Sequence, residues 1–394
     1  MSLDKYDNPM LRQMTVVLRS FERTADFITF DYLAEMLPKE VMEKTNKVVL
    51  TGAGDSYCAG IAAEPVFEGY GKGIPAEAVR AIEYTRYYNT YVGWDKEKEA
   101  GLGHTCIAIS NSGKPVRVIA AMKRAKLHGC EAIAITSNFE SEFAKAADHI
   151  VKLDFDPFDN HEEAFHVNVI NYVTSCFTAM MVGLYINVCK GNMTLEQAEE
   201  HKQACIDYVK SIEGKVYEEL DRHAMDMTER WEAQGVDLMD FVGDGPDYAT
   251  AFFGSAKMIE TFGGLTTYDD SEDWNHINFF NRSPEKVGTF VVANESSPAF
   301  SRQLEMINTA VTVGRPVCVI TDADRSLFPE NCDVFTMPKP KYAWINPLMQ
   351  HLPMDFVAGY VGAIRNIQEF CFGSEPHQLD FNADRFRKSK MVVL

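Results

Sequence analysis

The sequence predicts an α/β protein made of two tandem parallel-sheet units, each with its sheet flanked by helices. Three observations predict it. From residue 46 onward, short β-branched runs alternate with helical stretches of roughly ten to fifteen residues, the pattern of βαβ crossovers and of a sheet covered on both faces. The run TCIAISNSGKPVRVIAAMKRA can be laid on TFVVANESSPAFSRQLEMINTA, Thr105 against Thr289, matching strand, loop and helix at an offset of about 184 residues. A long helical stretch, from about 161 to 234, joins the halves.

Residues 1–45 read as an N-terminal helical segment (LRQMTVVLRSFERT, then FDYLAEMLPKEVMEKT) that carries no visible chemistry. The first unit, 46–190, runs through KVVLTG, a helix to about 70, AIEYTRYY at the next strand position, TCIAIS, the helix RVIAAMKRAKLHG, AIAITSN and HIVKLDF. Residues 191–234 form a helical connector. The second unit, 235–370, repeats the order with DFVGDGPDYATAFFGSAKMIE, TFVVANESSPAFSRQLEMINTAVTVG, RPVCVITDAD and DVFTMPKP. The tail, 371–394, is polar with basic residues near its end and matches neither unit.

Composition narrows the function classes. The 394 residues are 46% hydrophobic, enough for a sizeable core. No run of eighteen apolar residues occurs, and MSLDKYDNP has neither the basic nor the apolar region of a signal peptide, so neither membrane insertion nor secretion is indicated. Nine cysteines, an odd number without a C-x-x-C pair and placed within apolar runs, read as reduced core residues of a cytoplasmic protein. A formal charge of -19 argues against nucleic acid as a partner, because a binder must neutralise phosphates with clustered Lys and Arg. Any phosphate site must therefore be built locally, from backbone amides and a few cations, against the global field.

Two loops offer that construction. VVLTGAGDSY places a glycine turn between strand and helix, where backbone N–H groups can face an anion and Ser56 adds a hydroxyl. The structural alternative is a tight βα turn that needs Gly54 for its backbone, with Ser56 as a cap. AISNSGKP repeats the arrangement with Ser110, Asn111, Ser112 and Gly113, and two such helix starts in one parallel sheet can converge on one phosphate. The matching place in the second half, NESSPAF, has no Ser-Gly loop and adds Glu295.

In that half, GSAKMIETF sets Lys257 and Glu260 three apart on one helix face, either an exposed ion pair or the start of a site. Sixteen residues on, EDWNHINFF holds His276, a structural histidine or a catalytic one. Asp269, Asp270, Glu272 and Asp273 just before it fit no ligand spacing and read as a solvated acidic loop, so no metal site is assigned.

Strand-GAGDSY-helix, SNSG, and K-x-x-E followed by this histidine together resemble the double sugar-isomerase (SIS) domain proteins, over about residues 45–394. The likeness is to the isomerase half of glucosamine-6-phosphate synthase and to the fructosamine-6-phosphate deglycases. It implies two tandem SIS-type, flavodoxin-like units. It implies a sugar phosphate held by Gly54, Ser56, Ser110, Asn111, Ser112 and Gly113, with Glu260 moving the proton between sugar carbons 1 and 2. His276 would open the ring, Lys257 would be the helix lysine, and Lys390 the tail lysine that closes over the sugar, with Lys388 the alternative register. Relatives are commonly dimers, so a homo-oligomer is expected. Pro115 departs from the pattern: where relatives often carry a hydroxyl, it removes a ligand and a backbone donor together, and Lys114 stands beside it. Glu162 or Glu163 in HEEAFH corresponds to a family glutamate before the long helix. The glutaminase domain of the synthase has no counterpart in this chain, so release of ammonia from glutamine is not expected.

The chemistry explains the residue types. Aldose–ketose interconversion and amine release from a ketosamine share the removal of a proton beside a carbonyl or imine and its return one carbon away. One positioned carboxylate does this, typically for about 10²- to 10⁴-fold. A histidine, titrating near neutrality, can protonate the ring oxygen, and a lysine can stabilise the enediol or form an imine. The expected activity is thus that of a phosphosugar isomerase or deglycase, needing no cofactor. The alternative is a sugar-phosphate sensor without chemistry, although the short N-terminal segment offers no DNA-reading domain.

Overall fold

A computed structural model describes residues 5–88, 101–156, 158, 166–371 and 389–393. The chain forms two compact units, each assembled from three stretches. One draws on Arg19–Asp156, Ile170–Gln203 and Asp380–Leu394, and the other on Met1–Leu18, Pro157–Val169 and Ala204–Leu379.

The first unit holds strands β1 (Lys47–Gly52), β2 (Ala76–Arg80), β3 (His104–Ile109), β4 (Glu131–Thr136) and β5 (His149–Lys152), all parallel, in the order β2-β1-β3-β4-β5. β1, β3 and β4 are buried from their second residue onward, as continuous apolar runs must be when helices cover both faces. Helix Ile170–Cys189 packs on helix Asp55–Glu68, with Asn187 Nδ2 donating to the Val66 carbonyl at 2.9 Å. Helix Ile170–Cys189 has the length and hydropathy to cross a membrane, yet 94% of its apolar window is buried in the protein. The sequence placed AIEYTRYY at a strand position; the strand is instead AEAVR, and Ala81–Arg86 is helical. Ala81, Tyr84 and Thr85 are its buried residues, a helical spacing, and Ala81 and Tyr84 belong to the core cluster of this sheet.

The second unit holds β6 (Leu238–Val242), β7 (Leu265–Asp269), β8 (Val287–Val292), β9 (Val317–Thr321) and β10 (Asp333–Thr336), parallel and in the order β10-β9-β8-β6-β7. Read from the other edge this is the order of the first sheet, with β3 and β8 in equivalent places, as the sequence overlay requires. The long helical stretch resolves into Ile170–Cys189, Leu195–Ile212 and Lys215–Gln234; residues 166–169 ahead of them are not helical. Eight of the nine cysteines, from Cys58 to Cys332, are buried.

Candidate active site

In the first unit the chain leaves β1 for β2 on one side, while β3 lies on the other, so the carboxyl ends of β1 and β3 border the switch point where α/β sheets bind ligands. Both hydroxyl loops are there. β1 ends at Gly52, where a Cβ would stand 2.7 Å from the Ser56 backbone, so only glycine lets the turn fold back on its helix. Gly54 follows at φ +57°, and helix Asp55–Glu68 carries Ser56 in its first turn.

After β3, Ser110 is buried and its N–H donates to the Ile135 carbonyl at 3.0 Å. The loop 111–113 is braced by the polar turn that follows β4. Ser137 Oγ donates to Asn111 Oδ1 at 2.6 Å, Thr136 Oγ1 to the Asn111 carbonyl at 3.0 Å, and Asn138 Nδ2 to the Ser112 carbonyl at 3.2 Å. Gly113, at φ +64°, has Ser141 Oγ only 2.3 Å from where a Cβ would be. Pro115 precedes helix Val116–Leu127 and offers it no side-chain cap.

Two cations not singled out in the sequence flank this edge. Arg80 ends β2 in register with Gly52 and lies 4.8 Å from the Tyr57 ring. Arg117, second in its helix, donates to Ser389 Oγ at 2.7 Å and to the Lys390 carbonyl, which pins the tail here and leaves the Lys390 side chain exposed. Lys388, Glu162 and Glu163 lie outside the described residues.

The second unit has a different chemistry at its own switch point, between β6 and β8. Asp247, at the start of helix Asp247–Phe262, is buried, and burial pushes its carboxyl up to about 7. Asn294, after β8, donates to both of its oxygens at 3.0 Å. The second unit thus sets a buried carboxyl and an amide where the first unit has hydroxyl loops. Near the other end of the same helix, Lys257 Nζ lies 2.6 Å from Glu260 Oε2, 3.4 Å from the Asn168 carbonyl and 4.7 Å from the Phe253 ring. Lys257 is 0% exposed and Glu260 34%, so this is not the exposed pair that spacing alone allows. A desolvated ammonium held against a reachable carboxylate gives a strong local field, and the carboxylate can act on a ligand.

His276 ends the short helix Ser271–His276, which Asp270 caps by accepting from the N–H groups of Glu272 and Asp273. Its ring is 68% exposed and pairs with Glu272 at 3.0 Å; Glu272 also accepts from Arg302 at 2.7 Å, which holds its carboxyl below the usual range. The acidic run is thus engaged in capping and pairing. The helix is anchored through Trp274, whose Nε1 donates to Asp240 at 2.7 Å; Arg315 also donates to Asp240 at 2.7 Å, and to the Asn278 carbonyl. The first unit thus gathers the hydroxyl loops with the backbone of Lys390. In the second, Lys257 pairs with Glu260, and His276 pairs elsewhere.

Two parallel five-stranded units of one topology, the first with paired hydroxyl loops at its switch point, define the tandem sugar-isomerase fold. The chain resembles known members in sequence and in fold. It is 25% identical over 347 residues to the glutamine–fructose-6-phosphate aminotransferase [isomerizing] of Clostridium tetani, an alignment covering 87% of this chain and 52% of that protein. The chain therefore spans about half the length of that relative. The C-terminal domain of the glucosamine-fructose-6-phosphate aminotransferase of Francisella tularensis superposes with a TM-score of 0.75 at 18% identity, covering 93% of this chain and 98% of that one. Tagatose-6-phosphate ketose/aldose isomerase of Escherichia coli gives 0.64 at 15% identity, covering 93% and 94%. No protein-family model matches the chain.

Proposed function

We propose that this protein is a phosphosugar-processing enzyme that moves a proton between C1 and C2 of a ketosamine or aminosugar 6-phosphate, as a deglycase or an aldose–ketose isomerase or deaminase. The observation that carries the proposal is the Lys257–Glu260 pair, with its buried ammonium and reachable carboxylate. A pure binding protein has no need of such a pair, whereas proton transfer beside a carbonyl needs a positioned base and a cation for the oxygen that gains charge. The names of the related proteins, which act on fructose 6-phosphate and on other ketose phosphates, point to the same substrate class.

In this reading Gly54, Ser56 and Ser110 to Gly113 hold the phosphate and supply remote binding energy. Glu260 takes the proton from one carbon and returns it to the next, and Lys257 stabilises the enediol or enolamine oxygen. His276 donates the ring-opening proton, and Lys390 closes over the sugar. The exposure of His276, with Ile277 and Phe280 exposed beside it, suits a histidine that serves a second copy of the chain, hence a homo-oligomer. In the deglycase form, the proton shift turns a ketosamine into an imine or glycosylamine, which water splits into an aldose phosphate and a free amine.

The test is incubation with fructosamine 6-phosphates bearing different amines, assayed for glucose 6-phosphate, beside fructose 6-phosphate plus ammonia. Glu260→Gln is expected to abolish turnover and leave sugar-phosphate binding within about threefold. Tight phosphosugar binding with no turnover by the unaltered protein across both sets would replace the proposal with a sensor role.

A further inference from the structure

One stretch of backbone beside the Lys257–Glu260 pair is held by side chains where a sheet would ordinarily hold it. Residues 167–169 belong to no strand, yet three of their polar groups have buried side-chain partners. Gln13 Nε2 donates to the Val167 carbonyl at 2.6 Å, and Gln13 Oε1 accepts from the Val169 N–H at 2.6 Å. Glu369 Oε2 accepts from the Val167 N–H at 2.6 Å, and its other oxygen accepts from the Met10 N–H at 2.7 Å. In a parallel ladder one residue's N–H and C=O reach the carbonyl and amide of partners two apart, and the residue between them turns its own groups the other way. The Gln13 amide reproduces that pattern. It straddles Asn168 and turns the Asn168 carbonyl toward the opposite side, where Lys257 Nζ stands 3.4 Å away.

Gln13 is 0% exposed and Glu369 3% exposed, so the clamp is out of water, where each lost partner costs most. Glu369 and its neighbours also pack on helix Asp247–Phe262, which carries the pair. The next residue, Phe370, sits at φ +57°, a left-handed conformation that costs a bulky residue energy and persists only where surrounding contacts impose it. A strained turn thus delivers a buried carboxylate to a backbone amide next to the residue that contacts Lys257.

We infer that Gln13 and Glu369 are positioning residues for the Lys257–Glu260 pair: they fix the Asn168 carbonyl against the lysine, and through it the orientation of the carboxylate. The inference deepens the enzymatic reading above and rests on it for its kinetic consequence. Glu369→Gln keeps the shape and leaves one acceptor oxygen for two N–H groups; Gln13→Met removes the straddling amide. Each variant is made alone and in a Lys257→Met background.

If the clamp acts through Lys257, each single variant lowers kcat by about 10- to 100-fold with KM changed less than about twofold, and costs less than about twofold more once Lys257 is gone. Thermal midpoints of the same four-protein cycles, which need no substrate, should show smaller drops for Glu369→Gln and Gln13→Met in the Lys257→Met background than in the unaltered protein. Additive kinetic and thermal effects would overturn the inference and leave a clamp that only stabilises the fold. Loss of all turnover in the unaltered protein would count against the enzymatic reading alone, since the thermal cycles still decide whether clamp and lysine are coupled.

Discussion

At the scale of single residues, the same pairing of charges has opposite consequences according to burial. Arg315 and Asp240 are 1% and 3% exposed and 2.7 Å apart, and burial pushes the Asp240 carboxyl up. Removing one partner from such a pair strands the other in a dry interior, a loss of about 3–5 kcal/mol. Arg315→Met is therefore expected to lower the unfolding free energy by that amount, read as a lower urea midpoint at unchanged slope, and to take the guanidinium from the Trp274 ring and the donor from the Asn278 carbonyl, while the Trp274–Asp240 bond stays. Arg302 pairs with Glu272 and Glu305 in water, and Arg302→Ala is expected to leave the urea midpoint almost unmoved. Equal losses in the two unfolding curves would show that the buried pair is not what holds this element. The spacing of Lys257, Glu260 and His276 is visible in the sequence, but their environments are not. Lys257 finds its carbonyl partner 89 positions away, and the clamp behind that partner spans 154 and 202 positions.

At the scale of elements, the interior strands are legible because a strand covered on both faces must be apolar throughout, and KVVLTG, TCIAIS and RPVCVITD are. Two of the four edge strands, β2 and β7, are not. β2 is AEAVR and β7 is LTTYD, with Leu265 73% exposed, so neither shows a continuous apolar run. β2 solves the edge problem with acids from its own crossover helix: Glu68 accepts from the Ala76 N–H at 3.2 Å and Glu64 accepts from the Ala78 N–H, occupying amides that an open edge would offer to another chain. Burial pushes the Glu64 carboxyl up to about 7. Because its folded value lies above the unfolded one, the folded state binds more protons between about 4.5 and 7, and this group's contribution to stability declines as pH rises through that window. Glu64→Gln keeps an acceptor for Ala78 and removes the titration. Its stability relative to the unaltered protein should therefore rise between pH 5 and pH 7.5, by on the order of 1–2 kcal/mol after allowing for partial exposure. A difference between the two urea curves that does not move with pH would mean that Glu64 stays ionised in the fold.

At the scale of the whole molecule, the overlay of the two halves is legible and the chain's path is not. Repetition fixes the order of strands, but each unit also takes in short stretches from distant parts of the sequence, chosen by packing partners that no local pattern announces. Residues 389–393 are the last of these. Met391 packs on the core cluster of the first sheet, Arg86 donates to the Val392 carbonyl at 2.7 Å, and Arg117 holds Ser389 and the Lys390 carbonyl. In a chain of formal charge -19, Arg117, second in the helix that follows loop 110–113, keeps positive charge next to that loop, as the proposed phosphate site needs against the global field. The strap and the lysine it carries can be separated by experiment. A chain ending at Lys388 loses the packed methionine and the carbonyl acceptors of Arg117 and Arg86, and is expected to be less stable by about 1–3 kcal/mol in urea unfolding. Lys390→Ala leaves every one of those backbone bonds in place, so its stability should match the unaltered protein while sugar-phosphate turnover falls at least about tenfold. If Lys390→Ala keeps full turnover and Lys388→Ala loses it, the tail register shifts by two residues and the strap's role becomes that of holding Lys388, two positions earlier, over the sugar.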